Sequence, residues 1–276
     1  MANIKFSQFI EQTDPANVQF LVGYNGTSNV RIAPGDIGGG GAVYPFQIDT
    51  ESLYSGFVPG SLSGTPQGNT VLGIDAGKTL TTGSSNTLIG HDAGKAITTA
   101  VNNTIVGYNS GITINGTGNT VLGMEAGTGL ATVGAVNVGW LAGSTGNYSI
   151  TLGAQVARFA ASQHSIFIGE QAGYGATSGD GAIGIGNDAL RNNTATASIA
   201  IGRDAGFSQT SGADNTNIGF EAGYSNTTNG QRTCIGYRAG KSNTGPGNTF
   251  IGRSAGSVSS AGGSNVVVGS NCMAFG

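Results

Sequence analysis

From Asn69 onward, apolar residues return at a near-fixed interval. An Ile, Leu or Val stands at Leu72, Ile89, Val106, Leu122, Val138, Leu152, Ile168, Ile185, Ile201, Ile218, Ile235, Ile251 and Val268. A glycine follows each, from Gly73 to Gly269, at steps of 16 or 17 residues, with one step of 14 between Gly139 and Gly153. Two residues before each aliphatic lies a second row, β-branched throughout: Thr70, Thr87, Thr104, Thr120, Val136, Ile150, Ile166, Ile183, Ile199, Thr216, Thr233, Thr249 and Val266. A spacing of two places both rows on one face of a short strand, and β-branched side chains suit that pleated surface. The position between them is mixed, from Val71 and Phe167 to Asn137, Gly184 and Cys234. The expectation is a strand with a constant dry face turned inward and a variable face turned out.

A small residue, Ala76 in the first repeat and Ala255 in the twelfth, follows three positions after the central glycine. It is expected inside a narrow coil, where a larger side chain would clash. The remaining Gly, Ser, Thr and Asn read as turns. Repetition at this period means a stack of one small unit. The fold class is therefore all-β: a parallel β-solenoid or β-roll of about 13 coils of 16–17 residues each. At about 4.8 Å per coil the stack is roughly 60 Å long.

So short a coil encloses little. Val71, Leu88, Ile105, Val121, Phe167 and Phe250 on the variable face are therefore expected to meet another copy of the chain, as a homo-oligomer packed about an axis.

Composition narrows the classes. The chain has 276 residues, 51 of them glycine, with 9% charged residues and a net charge of −3. Glycine without a triplet repeat is not collagen, and ordered rows of Ile, Val and Leu are not a disordered composition. No basic stripe supports nucleic-acid binding. No run of 18 apolar residues supports membrane insertion, and the first ten residues do not read as a secretory signal. Cys234 and Cys272 fall in different repeats and read as buried free thiols.

Residues 1–37 lack the repeat and hold two strand-like runs around Asn25-Gly26, a hairpin signal. Residues 38–68 begin glycine-rich, as a joint, and carry Tyr44, Phe46, Tyr54 and Phe57 as docking surface. Residues 69–276 are the repeat shaft.

The runs Asn-Thr-Val-Leu-Gly-x-x-Ala-Gly at 69–77 and 119–127, and Ser-Ile-Ala-Ile-Gly-x-x-Ala-Gly at 198–206, resemble two families. One is the left-handed β-roll of trimeric autotransporter adhesin heads. The other is the repeat shaft of bacteriophage tail fibres and related virion appendages. The resemblance covers 69–276 and implies an interwound homotrimer. The longer coils, and the absence of a coiled-coil stalk, a membrane anchor and an export signal, favour the phage side. That side implies a structural virion protein made in the host cytoplasm. It would attach to other tail or baseplate proteins by its N-terminus, through Phe20, Val22, Tyr24 and Arg31. Its β-roll would project for adhesion to host polysaccharide or protein. A bacterial surface adhesin and a polysaccharide-degrading tailspike are the alternatives.

No constellation for catalysis stands out, and the chain is expected not to be an enzyme and to need no cofactor or metal. His91 and His164 are about four coils apart, roughly 20 Å. Acids recur two positions after the central glycine, at Asp75, Asp92, Glu125, Asp188, Asp204 and Glu221, but Leu141, Gln155 and Arg238 share that slot, as a solvated surface would allow. The slot directly after the glycine carries Tyr108, Trp140, Phe220 and Tyr237, candidates for stacking on host sugars. An ice-binding face would need an outward threonine ladder. The aliphatic replacements from Val136 to Ile199 are expected to turn that row inward instead.

Overall fold

The computed structural model describes residues 47–49, 52–56, 67–127, 132–143, 146–177, 180–258 and 262–273. The chain divides into two units, 1–45 and 46–276, and all described residues belong to the second. The N-terminal hairpin, the glycine-rich joint and the attachment candidates Phe20, Val22, Tyr24 and Arg31 lie outside the described residues.

One sheet of fifteen strands contains every described strand, in sequence order. It opens with β1 (Gln47–Asp49), antiparallel to β2 (Ser52–Gly56). β2 runs parallel to β3 (Thr70–Gly73), so the sheet begins upstream of the repeat, inside the segment 38–68. One strand per coil follows: β4 (Thr87–Ile89), β5 (Thr104–Val106), β6 (Thr120–Leu122), β7 (Val136–Val138), β8 (Ile150–Leu152), β9 (Ile166–Ile168) and β10 (Ile183–Ile185). Then come β11 (Ile199–Ile201), β12 (Thr216–Ile218), β13 (Thr233–Ile235), β14 (Thr249–Ile251) and β15 (Val266–Val268). The thirteen strands β3 to β15 pair in parallel without a register slip. Thr70 lies beside Thr87, Val71 beside Leu88 and Leu72 beside Ile89, and so on to β15. The β-solenoid read from the period is therefore the fold. Each repeat position becomes a column running along the stack.

The faces are the reverse of the sequence expectation. In β3 to β15 the buried residue of each strand is the one between the two constant rows. Val71, Leu88, Ile105, Val121, Phe167 and Phe250 fill the interior of their own coils and cannot form an interface between chains. The two constant rows point outward and stay half-buried or exposed; Ile150 and Leu152 retain 41% and 45% of their surface. The variable column is tolerated inside because neighbouring coils adjust to it. The Phe167 ring lies over Gly173 and Gly184, where any Cβ would strike it. The small-residue column is buried as expected, from Ala76 to Ala255. Cys234 is a buried free thiol, but Cys272, in the last coil, is exposed, which corrects that part of the expectation.

The central glycines adopt φ between 128° and 142°, a region closed to other residues. A Cβ on Gly123 would land on the carbonyl oxygen of Gly139 in the next coil. Two positions further on, the backbone is left-handed again. Asp75, Asn109, Glu125, Leu141 and Arg238 all have φ of 52–56° there. That corner, more than solvation, explains why Asp and Asn are frequent in the slot.

A further column, four residues before the central glycine, holds the coils together from within. The Asn86 side chain and backbone N–H both donate to Oδ1 of Asn69, at 3.1 and 2.9 Å. Asn103 repeats this on Asn86, and Asn119 on Asn103. Serines continue the column at Ser149, Ser165 and Ser198. Arg232 breaks it. Its N–H donates to Asn215 at 3.0 Å, but its own side chain has no acceptor for the next coil.

Candidate functional site

The slot after the central glycine forms one outward column beside the strand face. Hydrogen bonds between successive coils fix its alignment: the Asp92 N–H donates to the Ile74 carbonyl, and the Gln155 N–H to that of Trp140. All four sugar-contact candidates therefore share a line, but not a patch. Tyr108 and Trp140 stand in an apolar stretch with Ile74 and Met124, all exposed. Small and polar residues, Ala154, Glu170 and Asn187, follow. Phe220 and Tyr237 belong to a second stretch, between Arg203 and Arg253.

In that second stretch the rings stack on one another. Phe220 and Tyr237 are 5.2 Å apart between centroids and 16° from parallel. The Arg203 guanidinium covers Phe220 at 4.5 Å, and Arg253 covers Tyr237 at 5.6 Å. Arg238 reaches both rings, at 5.7 and 5.0 Å. A parallel column five residues after the glycine does the same. Phe207 and Tyr224 stack at 5.1 Å and 7°, with Arg191 over Phe207 and Lys241 over Tyr224. Only the aromatic half of this surface was readable from single positions. The cations show once residues 16 or 17 apart are set side by side, because the partner of each ring is one coil away.

Carboxylates lie between the two columns, recessed beneath the cations. Glu221 accepts from Arg238 and Lys241, both at 2.6 Å. Its side chain keeps 15% of its surface, against 42% for Arg238. Burial raises the Glu221 carboxyl, but the two cationic hydrogen bonds outweigh it and hold the group below the usual carboxylate range. Asp204 goes the other way. Burial, and then the neighbouring Asp188 charge, push its carboxyl up, since Arg203 is 3.8 Å distant. Asp188 pairs with Arg191 at 2.8 Å. In the first coils Lys95 bridges Asp75 and Asp92, at 3.6 and 3.0 Å. Ion pairs from the acidic slot thus join neighbouring coils at Asp75 and Glu221 and stay within one coil at Asp92, Asp188 and Asp204.

His91 and His164 sit on the surface of separate coils, each near a tyrosine ring: Tyr108 at 5.4 Å and Tyr148 at 5.5 Å. Among the described residues no group of three or more His, Cys, Asp or Glu could hold a metal ion. No known protein-family model matches the chain. No curated protein matches it either.

Proposed function

We propose that the chain is a structural fibre element, a virion tail fibre or appendage shaft, that works as a homotrimer with the outward strand faces packed together. The observation that carries this is the outer face of β3 to β15. Every outward strand residue there is Ile, Leu, Val or Thr, and none is charged. A single chain leaves these rows half-exposed along the whole stack. Contiguous apolar surface beyond a few hundred Å² is uncommon on a monomer and marks an interaction site. The parallel in-register stack supplies the uniform surface that copies of itself could cover. Adhesion to a host surface and attachment through residues 1–37 complete the reading, on the resemblance of the repeats to phage fibres.

The threonine row also faces outward, which removes the ground for setting an ice-binding face aside. Five consecutive aliphatic replacements, Val136 to Ile199, fit a protein partner better than a water lattice.

The test is the solution mass of the purified chain, of 27.3 kDa, by light scattering, before and after boiling in detergent. A three-chain particle that resists dissociation is expected. Ile185→Glu, on the outward row, should reduce it to single chains with the β signature in circular dichroism kept. A single chain at all concentrations for the unaltered protein overturns the reading.

A further inference from the structure

The two ring-and-cation columns of the last coils present an unusual surface. Phe220 and Tyr237 have their faces occupied, by each other and by Arg203, Arg238 and Arg253. A sugar or nucleobase has no free face to stack on there. What remains exposed there is Tyr237, Arg203 and Arg253, whose hydroxyl and guanidinium groups are hydrogen-bond donors. The acceptors are underneath: Glu221 and Asp204 keep 15% and 23% of their side-chain surface, while Arg203 keeps 60%. Arg253 has no carboxylate within ion-pair distance among the described residues.

The geometry points to an anionic polysaccharide as the ligand of this surface, lying along the coils from Arg203 to Arg253. Successive positions of the column are about 4.8 Å apart, so the surface offers a straight row of donors about 14 Å long. An extended polymer bearing carboxylate or sulfate groups supplies acceptors along such a row, and charge-assisted hydrogen bonds to guanidinium are strong and directional. Duplex nucleic acid fits less well, because its dense phosphate charge would meet Glu221, Asp204 and Asp188 between the cations. Single strands lose their usual aromatic platform. This deepens the adhesive part of the fibre reading, and the two can fail separately.

The experiment uses the full chain in its native assembly, with mass checked beside binding. Electrophoretic retardation is measured in gels containing polygalacturonate, dextran or double-stranded DNA. Retardation by polygalacturonate that weakens with salt is expected, with little effect from dextran or DNA. Arg203→Gln with Arg253→Gln should weaken it about tenfold. Lys78→Gln with Lys95→Gln removes the same charge from the first coils and should leave it unchanged. Equal loss in the two double variants, equal retardation by DNA or dextran, or no retardation at low salt overturns the proposal. A change of mass in the arginine variant would instead place those residues in the assembly and likewise count against it.

Discussion

The first coils and the later ones share a backbone but not an interior. From β3 to β6 the inside is aliphatic: Val71, Leu80, Leu88, Ile97, Ile105 and Ile114 are fully buried. Toward β12 and β13 the same two inner columns carry Asn193, Gln209, Asn217, Asn226, Cys234 and Asn243, also fully buried. The apolar core divides there, one cluster ending at Ala205 and the next starting at Ala222. Hydrogen bonds replace dispersion in that gap. Gln209 donates to Ser198 at 2.6 Å and to the Gly212 carbonyl at 2.9 Å, and Asn217 donates to Gln209 at 3.2 Å. The ladder register does not change across the boundary, where Ile199, Ala200 and Ile201 lie beside Thr216, Asn217 and Ile218. What defines this solenoid is therefore its backbone corners and ladders. The filling is negotiable so long as each buried polar group finds a partner.

That condition fails at single atoms of Ser110, Asn137 and Asn217, and most heavily at Arg232. Its side chain is 1% exposed, and only Nη2 has partners, the Gly240 carbonyl at 3.3 Å and the Cys234 sulfur at 3.7 Å. Nε and Nη1 have none. Burial lowers the guanidinium from its ordinary value and raises the Cys234 thiol.

The sharpest way to break the comparison is to strike what both regions share. Gly123→Ala places a methyl on the Gly139 carbonyl at a φ of 139°. It should cost on the order of 4 kcal/mol or more and abolish the cooperative melt. The central glycine of a polar coil, Gly219→Ala, should do the same. A mild loss at either would show that the corner can relax.

Next in size is the filling itself. Leu88→Ala empties a dry coil and should lower stability by about 2–5 kcal/mol in thermal or denaturant unfolding. Cys234→Ala, at the equivalent column in a polar coil, should cost well under half as much. Equal losses would mean that the two interiors contribute alike.

Arg232→Asn should go the other way. It restores the asparagine column between Asn215 and Asn248 and removes a poorly partnered buried charge, at the expense of some filled volume. A gain of about 1 kcal/mol is expected, seen as a higher melting temperature; a loss would assign the arginine a packing role.

The smallest effect concerns Glu221. A carboxyl held low in the folded state adds stability above its unfolded pKa, and that contribution is lost as pH falls through the folded value. Glu221→Gln should flatten the fall of melting temperature on the acid side and leave pH 7 stability little changed, since the pair is near the surface. An acid profile identical to that of the unaltered protein would remove the Glu221 contribution.

The sequence by itself determined the period, the strand positions, the parallel stacking and the small-residue column, because each recurs along the stack, the last with Val156 and Cys272 as exceptions, and the backbone geometry favours it. It also placed Tyr108, Trp140, Phe220 and Tyr237 on one line. Only the tertiary structure decided which side of the strand is the inside. A row of Thr and Ile is equally at home on either face of a sheet, and constancy alone does not tell a packed interior from a uniform outer surface. The asparagine ladder, the split core and the stacked cations were hidden for a related reason. Their partners are 16 or 17 residues away, and a contact between coils exists only once the coil has closed and fixed which columns lie side by side.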